Sequence, residues 1–350
     1  MYSMSPTRST LTRFIVSTAT VLAAVGISFA SEPSVRTRNF SFSYQATVKD
    51  IPTGAGHVDL WIPVPHDDPY QQIANLRIDS PYPYKIETGS QGNRILHVGV
   101  DNPKETSVTV TMKVDATREE HRQSRLYSGP RLTRDEDPNR LAQYLKPDRL
   151  VPLDDQIRKW AKEVVDAAHA HTDLEMAQAI YNHIVATVKY DKTGKGWGRG
   201  DIYYACSERR GNCTDFHAIF IGYARAMGIP ARFAIGFPLP ADRGQGKIAG
   251  YHCWAEFYAK GIGWVPVDAS EAAKNPAKRE YFFGSHDENR VEFSKGRDVI
   301  LVPRQKGDPL NYFVYPYAEI DGKTYAGTEF TVQYADVQSR AANHYPAANR

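Results

Sequence analysis

"GNCTDFHAIFIGYARAMGIPAR", residues 211–232, sets a cysteine where an apolar helix begins. Phe216, Ile219, Phe220, Tyr223, Ala224 and Met227 recur at helical spacing and predict a helix over about 213–227. Gly228 and Pro230 follow in the order that ends a helix. Cys213 therefore falls in the first turn, among free N–H groups at the positive end of the helix dipole. Both features favour a thiolate. The same N–H groups can donate to an oxyanion as it forms. Taken alone, Cys213 fits a buried structural cysteine equally well, the usual fate of that residue.

Further on comes "GYHCWAEFY", residues 250–258. The period of two puts His252, Trp254, Glu256 and Tyr258 on one face of a strand, and Tyr251, Cys253, Ala255 and Phe257 on the other. "GWVPVDAS", residues 263–270, follows directly. A tight turn at Gly261–Gly263 pairs the two strands antiparallel. Counting back from it brings Asp268 close to His252. A histidine beside the helix start could take the thiol proton, and an aspartate could hold its second nitrogen. His217, four residues after Cys213 on the same helix, is a rival base, though its apolar helix favours a packing role. Asp215 in the first turn suits the dipole. Arg209, Arg210 and Arg232 could offset that charge or hold a substrate carboxylate; solvated charge is the default.

Cysteine at a helix start, then histidine and aspartate on neighbouring strands, resembles the transglutaminase-like superfamily. The likeness rests on the three quoted stretches and covers roughly residues 154–275. It implies a papain-like α+β core, with helices packed on an antiparallel sheet. It makes Cys213 the nucleophile, His252 the base and then the acid, and Asp268 the orienting group. The family includes cross-linking transglutaminases, cysteine peptidases and peptide-glycan amidases. Bacterial members that carry an exported β domain ahead of the core are similar to this layout. Some members draw a second oxyanion donor from a Trp or Gln upstream of the nucleophile. Six residues upstream here is Ser207, so Trp197 and Tyr190 are the candidates. Trp197 lies in the glycine-rich "KTGKGWGRG", residues 192–200.

The rest of the chain fits around this core. Residues 36–117 alternate in short runs such as "FSFSYQATV" and "SVTVTMKVDA", punctuated by turn signals, and predict a small all-β sandwich ahead of the core. Residues 118–150 are charged and hold Pro130, Pro138 and Pro147, an irregular connection. Ile157, Trp160, Ala161, Val164 and Val165 mark a first helix starting near Asp154. "TDLE" at 172–175 reads as a capping box opening a second. The catalytic-type domain then spans 151–335, strands following helices as in an α+β fold. Residues 276–350 carry tyrosine-rich strand patterns that would complete the sheet and wall the cleft, with a tail from 336.

Arg8 and Arg13, an apolar run over Phe14–Ile27 and the small residues Ser28 and Ala30 read as an export signal, residues 1–30. The run falls short of the roughly 20 residues a membrane span needs. About 320 residues remain, enough for two ordinary domains. The net charge of +3 is too weak to argue for nucleic acid. An exported or periplasmic protein with 3 cysteines has no disulfide framework, and Cys206 with Cys253 is the pairing that would leave Cys213 free. Zinc is the chemical rival, but no C-x-x-C occurs and residues 252 and 253 point to opposite faces. No cofactor or metal is expected; the expected partner is a peptide or protein substrate. "NFS" at 39–41 and "NCT" at 212–214 match the glycosylation pattern by chance. Two functions follow. One is thiol-dependent acyl transfer on amides, by hydrolysis or by transfer to an amine. The other is a non-catalytic envelope protein that binds a peptide or protein.

Overall fold

The computed structural model describes residues 35–123 and 136–337, with residues 1–3 and Leu126 in addition. The export-signal reading and the tail beyond 337 lie outside the described residues. Among the described residues, no helix is long and apolar enough to cross a membrane.

Alternation builds the first layers. In β1 (Thr37–Val48) and β6 (Val108–Glu119) every second residue is buried, so each strand turns one apolar edge inward. They pair antiparallel, Phe42 opposite Val114. β3 (Gln71–Asp79) extends this sheet on one side; β18 (Thr328–Asp336) and then β11 (Gln245–Ile248) extend it on the other. The second sheet runs in the order β17 (Lys323–Tyr325), β16 (Tyr317–Ile320), β2 (His57–Val64), β5 (Arg94–Asp101), β4 (Tyr84–Thr88). The sandwich expected at the N-terminus is therefore present, and both its sheets recruit strands from the far end of the chain.

Helices packed on an antiparallel sheet form the core, as the α+β reading expects. The sheet orders β13 (Gly263–Val267), β12 (His252–Ala259), β10 (Ala231–Pro238) and β15 (Arg290–Lys295). Around it lie α1 (Asp155–Ala167), α2 (Asp173–Thr187), α3 (Ile202–Glu208), α4 (Cys213–Ala226) and α5 (Ala269–Lys274). Every residue of α4 from Cys213 to Arg225 is buried, so it is a core helix wrapped by neighbours on all sides. Asp154 caps α1, and the Thr172–Glu175 capping box opens α2 as its sequence predicts. Two short pairs complete the fold: β8 (Lys189–Tyr190) parallel to β9 (Arg210–Gly211), and β7 (His121–Arg122) against β14 (Ser285–His286).

Sandwich and core share one interior. Phe42 and Tyr44 of β1 meet Phe293 of β15 at ring distances of 5.4 and 5.9 Å. Side-chain amides seal the outer edge of β15. Gln71 Nε2 donates to the Glu292 carbonyl at 3.0 Å and its Oε1 accepts the Glu292 N–H at 2.8 Å. Asn93 does the same for Lys295, at 2.8 and 2.7 Å. Each amide stands in for a strand backbone, so an edge that would otherwise offer unpaired groups is closed.

Gly236 lies opposite His252 on β12, where a bulge brings β15 against it. A Cβ there would meet the Val291 carbonyl oxygen at 1.8 Å. Because the obstacle is backbone, Gly236→Ala must part β10 from β15, at a cost of about 1–3 kcal/mol. Urea unfolding reads this directly, and an unchanged midpoint would mean that the strands separate freely.

Candidate active site

Cys213 opens α4 one residue after its N-cap, Asn212. Asn212 Oδ1 accepts the Thr214 N–H at 2.9 Å, and its carbonyl takes the Asp215 and Phe216 N–H groups. As the first helical residue, Cys213 has no acceptor for its own N–H within the helix. Asn212 Nδ2 donates to the Tyr251 hydroxyl at 2.9 Å, and that hydroxyl lies 2.8 Å from Thr214 Oγ1. Cys213 is 3% exposed.

His252 opens β12, and Asp268 follows β13. In that hairpin Ala255 stands opposite Val267, so Asp268 leaves the ladder beside the start of β12. Its Oδ2 accepts from His252 Nε2 at 2.7 Å. Its Oδ1 caps α5, taking the Glu271 N–H and the Ser270 hydroxyl, each at 3.0 Å. Cys213 and His252 lie close enough that each favours the charged form of the other. With Nε2 engaged, Nδ1 is the nitrogen left for the sulfur. The structure thus brings Cys213, His252 and Asp268 into one contiguous row.

The charges follow from these contacts. Burial pushes the Cys213 thiol up, but hydrogen bonds from Cys253 and His252 and the positive imidazole hold it well below the ordinary thiol range. Burial likewise opposes a charge on His252; the Asp268 carboxylate and the Cys213 sulfur override it and raise the imidazole to about 10. Asp268 resists its own burial because His252, then Arg290 and His217, hold it well below the usual carboxylate range. These directions favour a thiolate–imidazolium pair backed by a carboxylate.

The remaining candidates separate clearly. His217 is fully buried, its Nε2 3.8 Å from Asp268 Oδ1 and its Nδ1 3.7 Å from Cys253 Sγ. Burial holds it below the ordinary imidazole value, so it is a neutral interior group. Asp215 does more than suit a dipole. It accepts the N–H groups of Gly198 at 2.7 Å, Asn212 at 2.9 Å and Gly200 at 3.0 Å. That clamp fixes the glycine-rich loop, and Trp197 with it, against the start of α4. Trp197 is half-buried. Tyr190 is also half-buried, and burial and then the Cys213 charge push its hydroxyl up. Arg232 is committed elsewhere, paired with Glu256 and lying 3.9 Å over the Trp264 ring. Arg210 pairs with Glu208 at 3.1 Å, and Arg209 ends α3 in a left-handed turn.

The Cys206–Cys253 pairing is overturned: all three cysteines are free. Cys206 Sγ meets the Tyr223 hydroxyl at 3.4 Å, whereas Cys253 Sγ lies 3.7 Å from Thr214 Oγ1. Thr214 and Tyr223 sit about 13 Å apart along α4, twice what a disulfide spans. Sequence reasoning missed Cys253 as a partner of the nucleophile. Alternation set it on the face opposite His252, and only the position of α4 shows that it reaches Cys213. It missed Arg290 as well, which no motif marks. Among the described residues, no group of His, Cys, Asp and Glu could hold a metal ion.

The thiolate–imidazolium pair is expected to hold from the low pH at which the sulfur takes a proton up to about 10, where the imidazole gives one up and leaves the thiolate beside a neutral ring. An ordinary thiol loses about tenfold in reactivity per pH unit below about 8.5. Iodoacetamide is expected to modify Cys213 nearly as fast at mildly acid pH as at neutral pH, and His252→Ala to restore the ordinary slope. A steep slope in the unaltered protein would mean that no ion pair forms.

Residues 158–269 match the core of the Transglutaminase-like superfamily. A protein from Haemophilus influenzae described as uncharacterized is 28% identical over 312 residues, covering 78% of this chain and 83% of its own length. The fold is similar to that of a candidate cysteine protease from Cytophaga hutchinsonii, with a TM-score of 0.57 and 18% identity over 88% of this chain and 94% of that one. A more distant likeness, TM-score 0.35 and 18% identity over 63% of this chain and 71% of that one, is to the periplasmic domain of TgpA from Pseudomonas aeruginosa. The stretch that holds Cys213, His252 and Asp268 is thus similar to the core of the transglutaminase-like superfamily.

Proposed function

We propose that this protein is an exported enzyme that transfers acyl groups from peptide or protein amides through Cys213. The observation that carries the reading is the bridging imidazole: His252 Nε2 lies 2.7 Å from Asp268, and the ring and the Cys213 sulfur each favour the other's charge. A buried structural cysteine has no use for a charged imidazole.

The steps follow from the geometry. The Cys213 thiolate attacks the amide carbonyl carbon, and the carbonyl oxygen gains the negative charge. The Cys213 N–H, free of a helical acceptor, donates to that oxygen, with Trp197 or Tyr190 as the second donor. Imidazolium His252 returns its proton to the nitrogen as the C–N bond breaks, leaving a thioester. Neutral His252 then takes a proton from water or from an amine, which attacks the thioester and frees the thiol. Water makes the protein a peptidase or amidase; an amine makes it a transglutaminase. The basic n-region and apolar run at residues 8–27 support export.

Incubation with a glutamine-containing peptide and a labelled amine, followed by mass analysis, tests the reading. Amine incorporation, deamidation and backbone cleavage each name a different bond and acceptor. Cys213→Ala is expected to lower the rate at least about a thousandfold, and Asp268→Asn by roughly 10²–10⁴. Trp197→Phe and Tyr190→Phe each remove one donor; the one that serves the oxyanion lowers kcat by about 10²–10³ and leaves KM little changed. Turnover surviving in Cys213→Ala would remove the nucleophile from the scheme.

A further inference from the structure

Asp268 has more positive neighbours than a resting ion pair requires. Its Oδ2 is shared by two cations, His252 Nε2 at 2.7 Å and Arg290 Nη1 at 3.2 Å. Arg290 opens β15 and is 3% exposed. Its guanidinium carbon lies 4.9 Å from the Trp254 ring centroid, and Nη2 lies 3.4 Å from Asp287 Oδ1. Nε has no hydrogen-bond partner among the described residues. A cation this buried is expensive to keep. Its closest charged contact is the oxygen that holds the histidine.

While His252 is protonated, it alone neutralises Asp268. The need for a second cation arises when the proton leaves. A fully buried carboxylate facing a neutral imidazole tends to take up a proton itself. With Arg290 in place the carboxylate stays ionised whether His252 is charged or neutral. Because both cations share one oxygen, Arg290 also loosens the grip of Asp268 on the imidazolium, so the proton passes more readily to a leaving amine.

We propose that Arg290 is a positioning residue: by competing for Asp268 Oδ2 it keeps the carboxylate charged through the cycle and sets how tightly His252 is held. This rests on the acyl-transfer reading and deepens it. The other groups that face Asp268 cannot take its place. His217 on α4 and His286 on β14 are kept neutral by burial. Lys274 on α5 is paired with Glu271, whose Oε1 lies 3.9 Å from His252 Nε2. Tyr181 on α2 keeps its proton because of its burial and then the Asp268 charge. Asp287 pulls on the guanidinium from the far side.

The test reads Cys213 alkylation by iodoacetamide, resolved from Cys206 and Cys253 by mass spectrometry, across about pH 4 to 11. The acid limb reports thiolate formation, and the alkaline limb reports loss of the imidazolium proton. Arg290→Gln is expected to move the alkaline limb up by about one pH unit, and Arg290→Lys to bring it back. Long-range ¹H–¹⁵N spectra of the imidazole follow the same shift at His252 itself, a readout that a merely structural ion pair would not move. Asp287→Asn, which frees the guanidinium to act more fully on Asp268, moves the limb the opposite way and serves if Arg290→Gln does not fold. Profiles of the Arg290 and Asp287 variants that superimpose on the wild type, while His252→Ala abolishes reactivity at low pH, overturn the Arg290 role and leave acyl transfer standing. A wild-type Cys213 that reacts as an ordinary thiol overturns both.

Discussion

A carboxylate with no exposed surface stands at the meeting point of the core. Removing an ionised Asp from water costs several kcal/mol, which only close opposite charge and donated hydrogen bonds can offset. Asp268 obtains both from three elements: His252 at the start of β12, Arg290 at the start of β15, and the first turn of α5. Those elements cannot shift independently without leaving that charge uncompensated. The imidazole is therefore held in one orientation, and the sulfur on its other side is placed by the same constraint.

Asp215 solves a similar problem differently. It too is fully buried, but backbone N–H groups of Gly198, Gly200 and Asn212 surround it in place of cations. Burial raises its carboxyl, and those three donors pull it back. One buried acid fixes the base, and the other fixes the loop and helix start around the nucleophile. Gly200 shows how tight the second clamp is: Arg297 donates to its carbonyl at 2.8 Å while its N–H serves Asp215. With φ of +62° and Thr214 Cγ2 2.7 Å from where a Cβ would stand, that position accepts only glycine.

Features written in local pattern were legible in the sequence. The α4 stripe, its glycine stop, the Thr172 box and the 252–268 hairpin each depend on residues a few positions apart, and periodicity and turn chemistry report such spacing. What the sequence did not carry was set by distant pairing. Nothing near Thr328–Asp336 says that it pairs with Thr37–Val48. Arg290 reads as an ordinary strand cation until β15 is laid beside β10. α3, only seven residues long, is too short for its stripe to stand out. The cysteine pairing failed for a related reason, since composition counts thiols but α4 sets them at opposite ends.

These long-range pairings make the sandwich part of the site. Arg290 can share Asp268 only while β15 keeps its register, and among the described residues β15 has a strand neighbour on one side alone. On the other side its backbone is completed by Gln71 and Asn93, residues of the sandwich, and Phe293 is wedged against Phe42 and Tyr44. Arg38, 1% exposed, adds a second tie. It grips Asp336 of β18 through Nε and Nη2 at 2.8 and 2.9 Å, and its Nη1 donates to Asn289 Oδ1, one residue before Arg290, at 2.8 Å. The chain of contacts runs from β1 through Asn289 and Arg290 to Asp268, His252 and Cys213. Fold and chemistry are thus coupled through one strand edge.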